Sequence, residues 1–319
     1  MTTPPKIARP MRLAAAALAL FLCAGPWLRA DAVVAAGTGR HFSSPDDAVK
    51  ALVAAVKAGD RAGVDAIFGP EIKELLSGDP KQDAIEFAAF AKSVAQFAHL
   101  SQKSEDRYVL NIGDQNWPMP IPLVRKDGAW FFDAVAGKDE VLSRRIGMDE
   151  ITAIGVCRTY VVAQREYQSE DRDGSGVLKY AQKIRSTRGA KDGLYWHASD
   201  DEEQSPLGPL VTEARQEGYN AKAADGEPQP FHGYLFKILT AQGAAAPGGA
   251  YSYIINGNMV AGFALVAYPA HWGESGVMTF IVNQSGKVYE CNLGPQSAEI
   301  AVALTEFNPD SDWTPVAQP

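Results

Sequence analysis

The longest helical pattern in the chain reads MDEITAIGVCRTYVVAQREYQ over residues 148–168. One stripe collects most of its apolar side chains at helical spacing: Ala153, Val156, Cys157, Tyr160, Ala163 and Tyr167. Ile154 and Val161 widen this stripe, and a helix with so broad an apolar face is expected to be mostly buried. The pattern therefore predicts either the central helix of a second domain or a wedge between two domains.

Shorter helical patterns precede this stretch. A helix is predicted from Pro45 to Ala58 and a second short helix directly after it, which together make a helical hairpin. A third helix is predicted over residues 82–97, followed by alternating and proline-interrupted segments that predict a small antiparallel sheet. Residues 41–147 are thus expected to form a first domain. Its order of helices and sheet is similar to the nuclear-transport-factor-2-like fold.

Loops rich in Gly and Pro follow the long helix, and short strands come after them. The predicted strands cover residues 234–239, 251–255, 263–268, 277–282 and 287–291. The turn at residues 283–286 predicts a hairpin between the last two strands, and a closing helix is predicted over residues 297–307. The fold class is therefore α+β with two domains. In the second, residues 148–319, the long helix packs on a second antiparallel sheet.

The beginning of the chain has the pattern of a signal peptide. Basic residues are followed by an apolar run from Leu13 to Ala24, which is too short to span a bilayer, and then by Gly25 and Pro26. Cleavage is expected after Ala32, so that residues 1–32 are removed; an uncleaved membrane anchor is the alternative. We therefore expect a periplasmic or secreted protein that is soluble and has no membrane span after cleavage. A net charge of -8 argues against nucleic acid or anionic lipid as a partner.

Two cysteines remain after the leader, Cys157 and Cys291. Thiols oxidise outside the cytoplasm, so a disulfide between the two is expected. The alternative is that both are small buried hydrophobic residues.

The second half carries dense local strings that together resemble a known family. These are AQREY (163–167), DGLYW (192–196), SPLGP (205–209), HGY (232–234), APGGA (246–250) and GVMTF (276–280). They are similar to the exported bacterial family catalogued as domain of unknown function 2950, and the resemblance covers nearly all of the chain after the leader. It implies a periplasmic or secreted protein and supplies no activity. His197 departs from the family pattern, where Pro is expected, and this weakens any catalytic role for His197.

A long helix followed by a Gly-rich loop and a small antiparallel sheet is also similar to the globular heads of type IV pilin-like proteins. This second likeness is architectural. It is a weaker indication of the fold and implies no function.

Residues 171–178, DRDGSGVL, match the start of an EF-hand calcium loop. Asp171, Asp173 and Ser175 would supply side-chain oxygens and Val177 its carbonyl, but Gln182 stands where the bidentate Glu should be. The sequence thus predicts either a weak calcium site or an acidic turn. It contains no other cofactor motif.

Catalytic candidates are few. His232 lies in a turn where a general base could stand, with Asp192 as a nearby acid, while Ser205 lacks the geometry of a nucleophile elbow. An envelope hydrolase using His232 is therefore the alternative hypothesis rather than the first.

Aromatic residues crowd the Gly-rich loops of the second half, where they would suit either a binding groove or the core of a small sheet. The binding candidates are Tyr195, Trp196, Tyr234, Tyr251 and Trp272. The first hypothesis is accordingly a non-enzymatic binding or assembly module that presents these residues to an envelope protein or to cell-wall polymer.

Overall fold

The computed structural model describes residues 39–77, 79–199, 201–217, 219 and 229–317. The predicted leader and its cleavage site lie outside the described residues. Within the described ranges, no helix is long and apolar enough to cross a membrane.

The described chain opens with helices that begin at capping side chains. They are α1 (Pro45–Lys57), α2 (Arg61–Phe68), a 3-10 helix (Pro70–Leu75) and α3 (Pro80–Gln96). The hydroxyl of Ser44 accepts a hydrogen bond from the amide of Asp47 at 3.1 Å, and Asp60 and Asp79 cap α2 and α3 in the same way. The predicted helical hairpin and third helix are confirmed.

A five-stranded antiparallel sheet follows α3. Its strands are β1 (Ala98–Ser104), β2 (Arg107–Ile112), β3 (Trp117–Pro118), β4 (Leu123–Lys126) and β5 (Ala129–Phe132). The order is β1-β2-β4-β5, and β3 pairs only with β2. Pro118 lacks an amide hydrogen and cannot donate to a neighbouring strand, so a proline is expected only at the periphery of a sheet. The structure places Pro118 there, in the two-residue strand β3. The helices and this sheet enclose one hydrophobic core, which includes Leu52, Ile67, Leu110, Leu123 and Phe132.

The long helix, α4 (Ala134–Gln168), starts well before the predicted Met148. Asp133 begins it by accepting a hydrogen bond from the amide of Ala136 at 2.9 Å. Its first half is rich in charged side chains, among them the i,i+4 ion pair of Glu140 with Arg144, so it lacks the broad apolar stripe that revealed the second half. The helix therefore crosses the predicted boundary between residues 147 and 148.

The second sheet lies against the later part of α4. Its strands are β6 (Tyr234–Leu239), β11 (Ala264–Pro269), β12 (Thr279–Asn283), β13 (Val288–Cys291) and β15 (Thr314–Pro315). They are antiparallel, in the order β15-β13-β12-β11-β6. Strands β11 and β12 are buried along their whole length, because α4 contacts both and α6 (Ser297–Ala303) contacts β11. The predicted hairpin is confirmed: Gly286 donates to the carbonyl of Asn283 at 2.9 Å between β12 and β13.

Short elements complete the second half. They are α5 (Gly208–Gln216), β7 (Ala241–Gln242), β8 (Tyr251–Ser252), β9 (Ile254–Ile255), β10 (Asn258–Met259), a 3-10 helix (Gly294–Gln296) and β14 (Glu306–Phe307). The closing helix α6 ends at Ala303 and is shorter than predicted. The ammonium of Lys237 donates to the carbonyl of Val302 in its last turn and to that of Leu304 just past its end. The α+β fold class is confirmed.

Two hydrophobic clusters share the long helix. Ala134 belongs to the first cluster, whereas Ala153 and the later apolar residues of α4 belong to the second. Arg145 and Asp149 lie on the helix between them and are both buried. The division into domains at residues 147 and 148 stays a prediction.

Candidate functional site

His232 lies in a two-residue hairpin turn. Phe231 and Tyr234 exchange both backbone hydrogen bonds, at 2.9 and 3.1 Å, and close the turn around His232 and Gly233. Both turn residues have positive φ, 44° for His232 and 71° for Gly233, as a type I′ turn requires. Asn or Gly is the usual first residue of such a turn, so His232 holds this conformation at a cost in backbone energy.

The imidazole of His232 is held from two sides. Its Nε2 atom lies 2.9 Å from a carboxylate oxygen of Glu217, and its ring lies 5.4 Å from the ring of Tyr219. The hydroxyl of Tyr219 donates to Oε1 of Gln82 on α3, at 3.1 Å. His232 therefore connects a turn of the second half with a helix of the first.

Asp149 lies beneath this turn. It is 3 % exposed, and a Cβ placed on Gly233 would lie 2.9 Å from its Oδ2 atom and 2.7 Å from the Cβ atom of Ser275. Among the described residues it has no hydrogen-bond partner. Burial, with a smaller contribution from the charge of Glu86, raises the pKa of Asp149 to about 7, and Arg145 opposes this rise.

Arg145 stands one helical turn before Asp149 and is also buried. Its guanidinium donates to the carbonyl of Leu75 and lies 3.7 Å from the carboxylate of Glu86, while its Nε atom has no partner among the described residues. A buried cation and a buried carboxyl thus face the region between the two hydrophobic clusters.

Glu150 fixes a second turn beside the first. One of its carboxylate oxygens accepts the amides of Val277 and Met278, each at 3.0 Å. The turn before those residues carries Trp272, which is 36 % exposed and donates from Nε1 to Oδ1 of Asn292 at 3.0 Å. Since the amide of Ala270 donates to the carbonyl of Gly233 at 2.9 Å, the two turns are neighbours.

We call the set Asp149, Glu217, His232 and Trp272 the junction site. It combines a partly exposed imidazole–carboxylate pair, a buried carboxyl that changes charge near neutral pH and an exposed indole in a fixed orientation. Such a set can bind a partner or transfer a proton.

The family comparison agrees with the resemblance seen in the sequence. The model of a family described as protein of unknown function (DUF2950) matches residues 39–316. The chain belongs to this family. No curated protein and no solved structure matches the chain. The likenesses to the nuclear-transport-factor-2-like fold and to pilin heads therefore stay predictions.

The other two catalytic candidates, Asp192 and Ser205, are not joined to His232 in the part of the chain that the structure describes. Asp192 accepts from Lys183 at 2.6 Å and from the amide of Thr187 at 2.7 Å, and the Lys183 contact is the main reason that its pKa falls to about 2. Ser205 is buried, and its hydroxyl has no partner in the described chain. No hydrogen bond between described residues joins either side chain to His232.

Three of the five aromatic candidates belong to the core. Tyr195 and Trp196 are each 8 % exposed and Tyr234 is 0 % exposed. The hydroxyl of Tyr234 donates to the carbonyl of Met278 at 2.8 Å, so neither the buried ring nor the hydroxyl is available to a ligand. Only Tyr251 and Trp272, of these five, present a ring to solvent.

The acidic loop over residues 171–178 is closed by hydrogen bonds between its own residues. Asp171 accepts the amides of Ser175 and Gly176 at 3.0 and 2.7 Å, and a carboxylate oxygen of Asp173 lies 2.6 Å from the ammonium of Lys179. The amino group of Lys179 also lies 3.1 Å from the hydroxyl of Ser175. The oxygens of Asp173 and Ser175 therefore already contact a cation that belongs to the chain.

Gln182, at the twelfth position of the loop, points elsewhere and donates to the carbonyl of Gly257 at 2.9 Å. Within the described ranges, no group of three or more His, Cys, Asp or Glu side chains could hold a metal ion. Calcium binding stays a prediction, now with Lys179 as its competitor.

The predicted disulfide is not present, since Cys157 and Cys291 are both free thiols. Side chains alternate along β13, so Cys291 points to the sheet face opposite that of Glu290. Glu290 lies on the helix side, where burial, with a smaller contribution from the charge of Glu150, raises its pKa. Cys157 lies on α4, and the sheet therefore separates the two thiols.

Sequence reasoning missed Asp149, Arg145 and Glu217. A signal for the first two was available: the buried stripe of α4, continued backward from Ala153 in steps of four residues, reaches Asp149 and then Arg145. For Glu217 we find no comparable signal in the sequence.

Proposed function

We propose that this protein is a non-enzymatic binding or assembly module of the cell envelope, exported by its leader, and that it binds an envelope protein through Trp272. The observation that carries the proposal is the fixed and exposed indole of Trp272 in the junction site.

Trp272 is oriented before any partner arrives. Besides the Asn292 contact, its turn is braced by Ser275, whose hydroxyl accepts the amide of His271 at 3.1 Å and whose own amide donates to the carbonyl of His271 at 2.9 Å. An exposed tryptophan that loses little freedom on binding is typical of residues that dominate the energy of protein interfaces. The adjacent His232 and Glu217 supply polar groups for the rim of such an interface.

Photo-crosslinking in producing cells tests the proposal. We expect a Trp272→p-benzoylphenylalanine variant to give one discrete protein adduct in the envelope fraction. Trp117 is the matched control, because it is another exposed tryptophan, 43 % exposed, on the first sheet. The same replacement at Trp117 should give no such adduct, and equal adducts or none at both positions would reject Trp272 as the contact.

The export part of the proposal has its own test. The N-terminal sequence of the protein from the envelope fraction should start between Asp31 and Gly37, as expected after removal of a leader. A chain that starts at Met1 would contradict cleavage.

The His232–Glu217 pair favours a second candidate function, an envelope hydrolase. A carboxylate that orients an imidazole is the arrangement of a general base, and both side chains are partly exposed. Purified protein would then release soluble fragments from purified peptidoglycan. The release should disappear in His232→Ala and persist in Asp192→Asn, because Asp192 is engaged with Lys183. Under the first proposal neither variant matters, because the wild-type protein releases nothing.

A further inference from the structure

A second surface, separate from the junction site, lies at one end of the first sheet. It is an open depression of about 530 Å³, lined by Gln96, Phe97, His99, Gly113, Asp114 and Asn116. Sites for small molecules in proteins commonly measure about 300–1,000 Å³. The depression is therefore large enough for a ligand.

The frame of the depression is fixed by backbone hydrogen bonds. The amide of Gly113 donates to the carbonyls of Phe97 and Ser93, at 3.0 and 3.1 Å, and the amide of Asn116 donates to the carbonyl of Gly113 at 3.1 Å. Gly113 and Asn116 both have positive φ, 72° and 53°, conformations that Gly and Asn tolerate best. The turn is thus tied to the end of α3, and its shape does not depend on a ligand.

An aromatic ring forms the floor. Phe97 is 48 % exposed, and its ring lies 6.2 Å from the imidazole of His99 in a stacked arrangement. Phe97 caps the end of α3 through its amide, which donates to the carbonyl of Ser93 at 3.1 Å, so the backbone that carries the ring is fixed. The ring therefore offers a flat apolar surface to the solvent.

Polar side chains with free hydrogen-bonding capacity surround the ring. Across the described chain, the side chains of Gln96, His99, Asp114 and Asn116 make no hydrogen bond. They offer amide donors and acceptors, a carboxylate and an imidazole. Asp114 is the one formal charge in the lining, and the lining contains no Lys or Arg.

This combination selects a class of ligand. An anionic ligand is disfavoured by Asp114 and by the net charge of -8. A purely apolar ligand would cover four polar side chains without giving them partners. A pyranose ring has one face of C–H groups and a rim of hydroxyls, which fits an aromatic floor with acceptors and amides around it.

We propose that this depression binds a neutral pyranose sugar, whose C–H face stacks on Phe97 and whose hydroxyls bond to Asp114 and Asn116. The site lies in the first half of the chain and uses none of the residues of the junction site. It is therefore independent of the proposed function.

Ligand-observed NMR on the full exported chain tests this site. The probes are cellobiose, maltose, lactose and N,N′-diacetylchitobiose, all neutral, followed by calorimetry with any disaccharide that binds. We expect at least one to bind with a Kd of about 1 mM or better. Phe97→Ala and Asp114→Asn should each weaken binding about tenfold, because one removes the stacking surface and the other the charged acceptor.

Trp117→Ala is the matched control, since Trp117 is an exposed aromatic residue of the same sheet that lies outside the lining. It should change Kd by less than about twofold, well below the effect of one lost contact. Binding that survives Phe97→Ala, or no binding of any probe at about 10 mM, would overturn the proposal.

The edge of β1 offers a different class of ligand, an extended peptide paired with the strand. A hexapeptide of alternating Val and Thr serves as the probe for it. Shifts of the β1 amides with this peptide and none with the sugars would also overturn the sugar proposal.

Discussion

Asp149→Asn should stabilise the folded protein above neutral pH. The carboxyl is buried without a hydrogen-bond partner among the described residues, and its pKa is raised from 3.8 to about 7. In the unfolded chain Asp149 releases its proton near its ordinary pKa, so between these two values the folded state holds a proton that the unfolded state has lost. Its contribution to stability is therefore fully present below about pH 4 and is lost as pH rises through 7.

The magnitude follows from the size of the shift. A shift of about 3 pKa units corresponds to about 4 kcal/mol at full ionisation, since each unit is worth about 1.4 kcal/mol. This is an upper limit, because Arg145 remains beside the carboxylate and the site can relax around it. We expect the Asp149→Asn variant to exceed the wild type by about 2 kcal/mol in free energy of unfolding at pH 8, and by only about 1 kcal/mol at pH 4.5, where the loss has begun but is not complete.

Urea unfolding at pH 4.5, 6, 7 and 8 measures the difference, with Asp139→Asn as the control. Asp139 is an exposed carboxylate on the same helix, and its replacement should change stability by less than about 0.5 kcal/mol at every pH. If Asp149→Asn destabilises the protein at pH 8, then the carboxylate of Asp149 is stabilising there as an ion, paired with Arg145, and the reasoning from burial is refuted.

Three further predictions concern single features. His232→Asn should raise the free energy of unfolding by about 0.5–1 kcal/mol in urea melts, because Asn fits the first position of a type I′ turn better than His; a loss of stability would mean that the contact with Glu217 outweighs the strain. Labelling of the urea-unfolded protein without reductant should detect both Cys157 and Cys291, and in the folded protein Cys157 should resist labelling because burial raises its pKa to about 12. If the acidic loop binds calcium, millimolar calcium should raise Tm by mass action, more strongly in Lys179→Met than in the wild type, because the competing ammonium is then gone; no shift in either protein would leave the loop as a turn.

The fold could be predicted where a pattern has one physical cause. The caps of the first helices, the apolar stripe of the later part of α4 and the turn after β12 each reflect a local rule that the surroundings do not change. The first half of α4 was missed because its sequence is rich in charged residues and shows no apolar stripe. Its capping residue, Asp133, also follows directly after strand β5, so no loop marks the start of the helix.

The predicted disulfide is absent because side chains alternate between the two faces of a strand, and Cys291 lies on the face away from α4. Cys157 lies on the buried stripe of α4, as the pattern predicts, and Cys291 does lie in the hairpin strand. Val288 and Glu290 point to one face of β13, and Tyr289 and Cys291 point to the other. Which of these two pairs faces the helix depends on the register of the strand in the sheet. Both pairs contain a large apolar or aromatic residue, Val288 in one and Tyr289 in the other, so the strand pattern alone favours neither.

At the junction site, ionisable residues stand at buried helix positions where apolar residues are expected. The buried stripe of α4 continues into Asp149 and Arg145, where a stable helix interface would carry apolar residues. Buried ionisable side chains are often no more stabilising than apolar residues of the same size, so stability alone does not explain the presence of these two. The two side chains do contact different halves of the chain: Arg145 donates to the carbonyl of Leu75 in the first half, and Asp149 lies against Gly233 in the turn of His232 in the second. A change in the charge of Asp149 would therefore be felt first at the turn of His232, and that turn neighbours the one that carries Trp272.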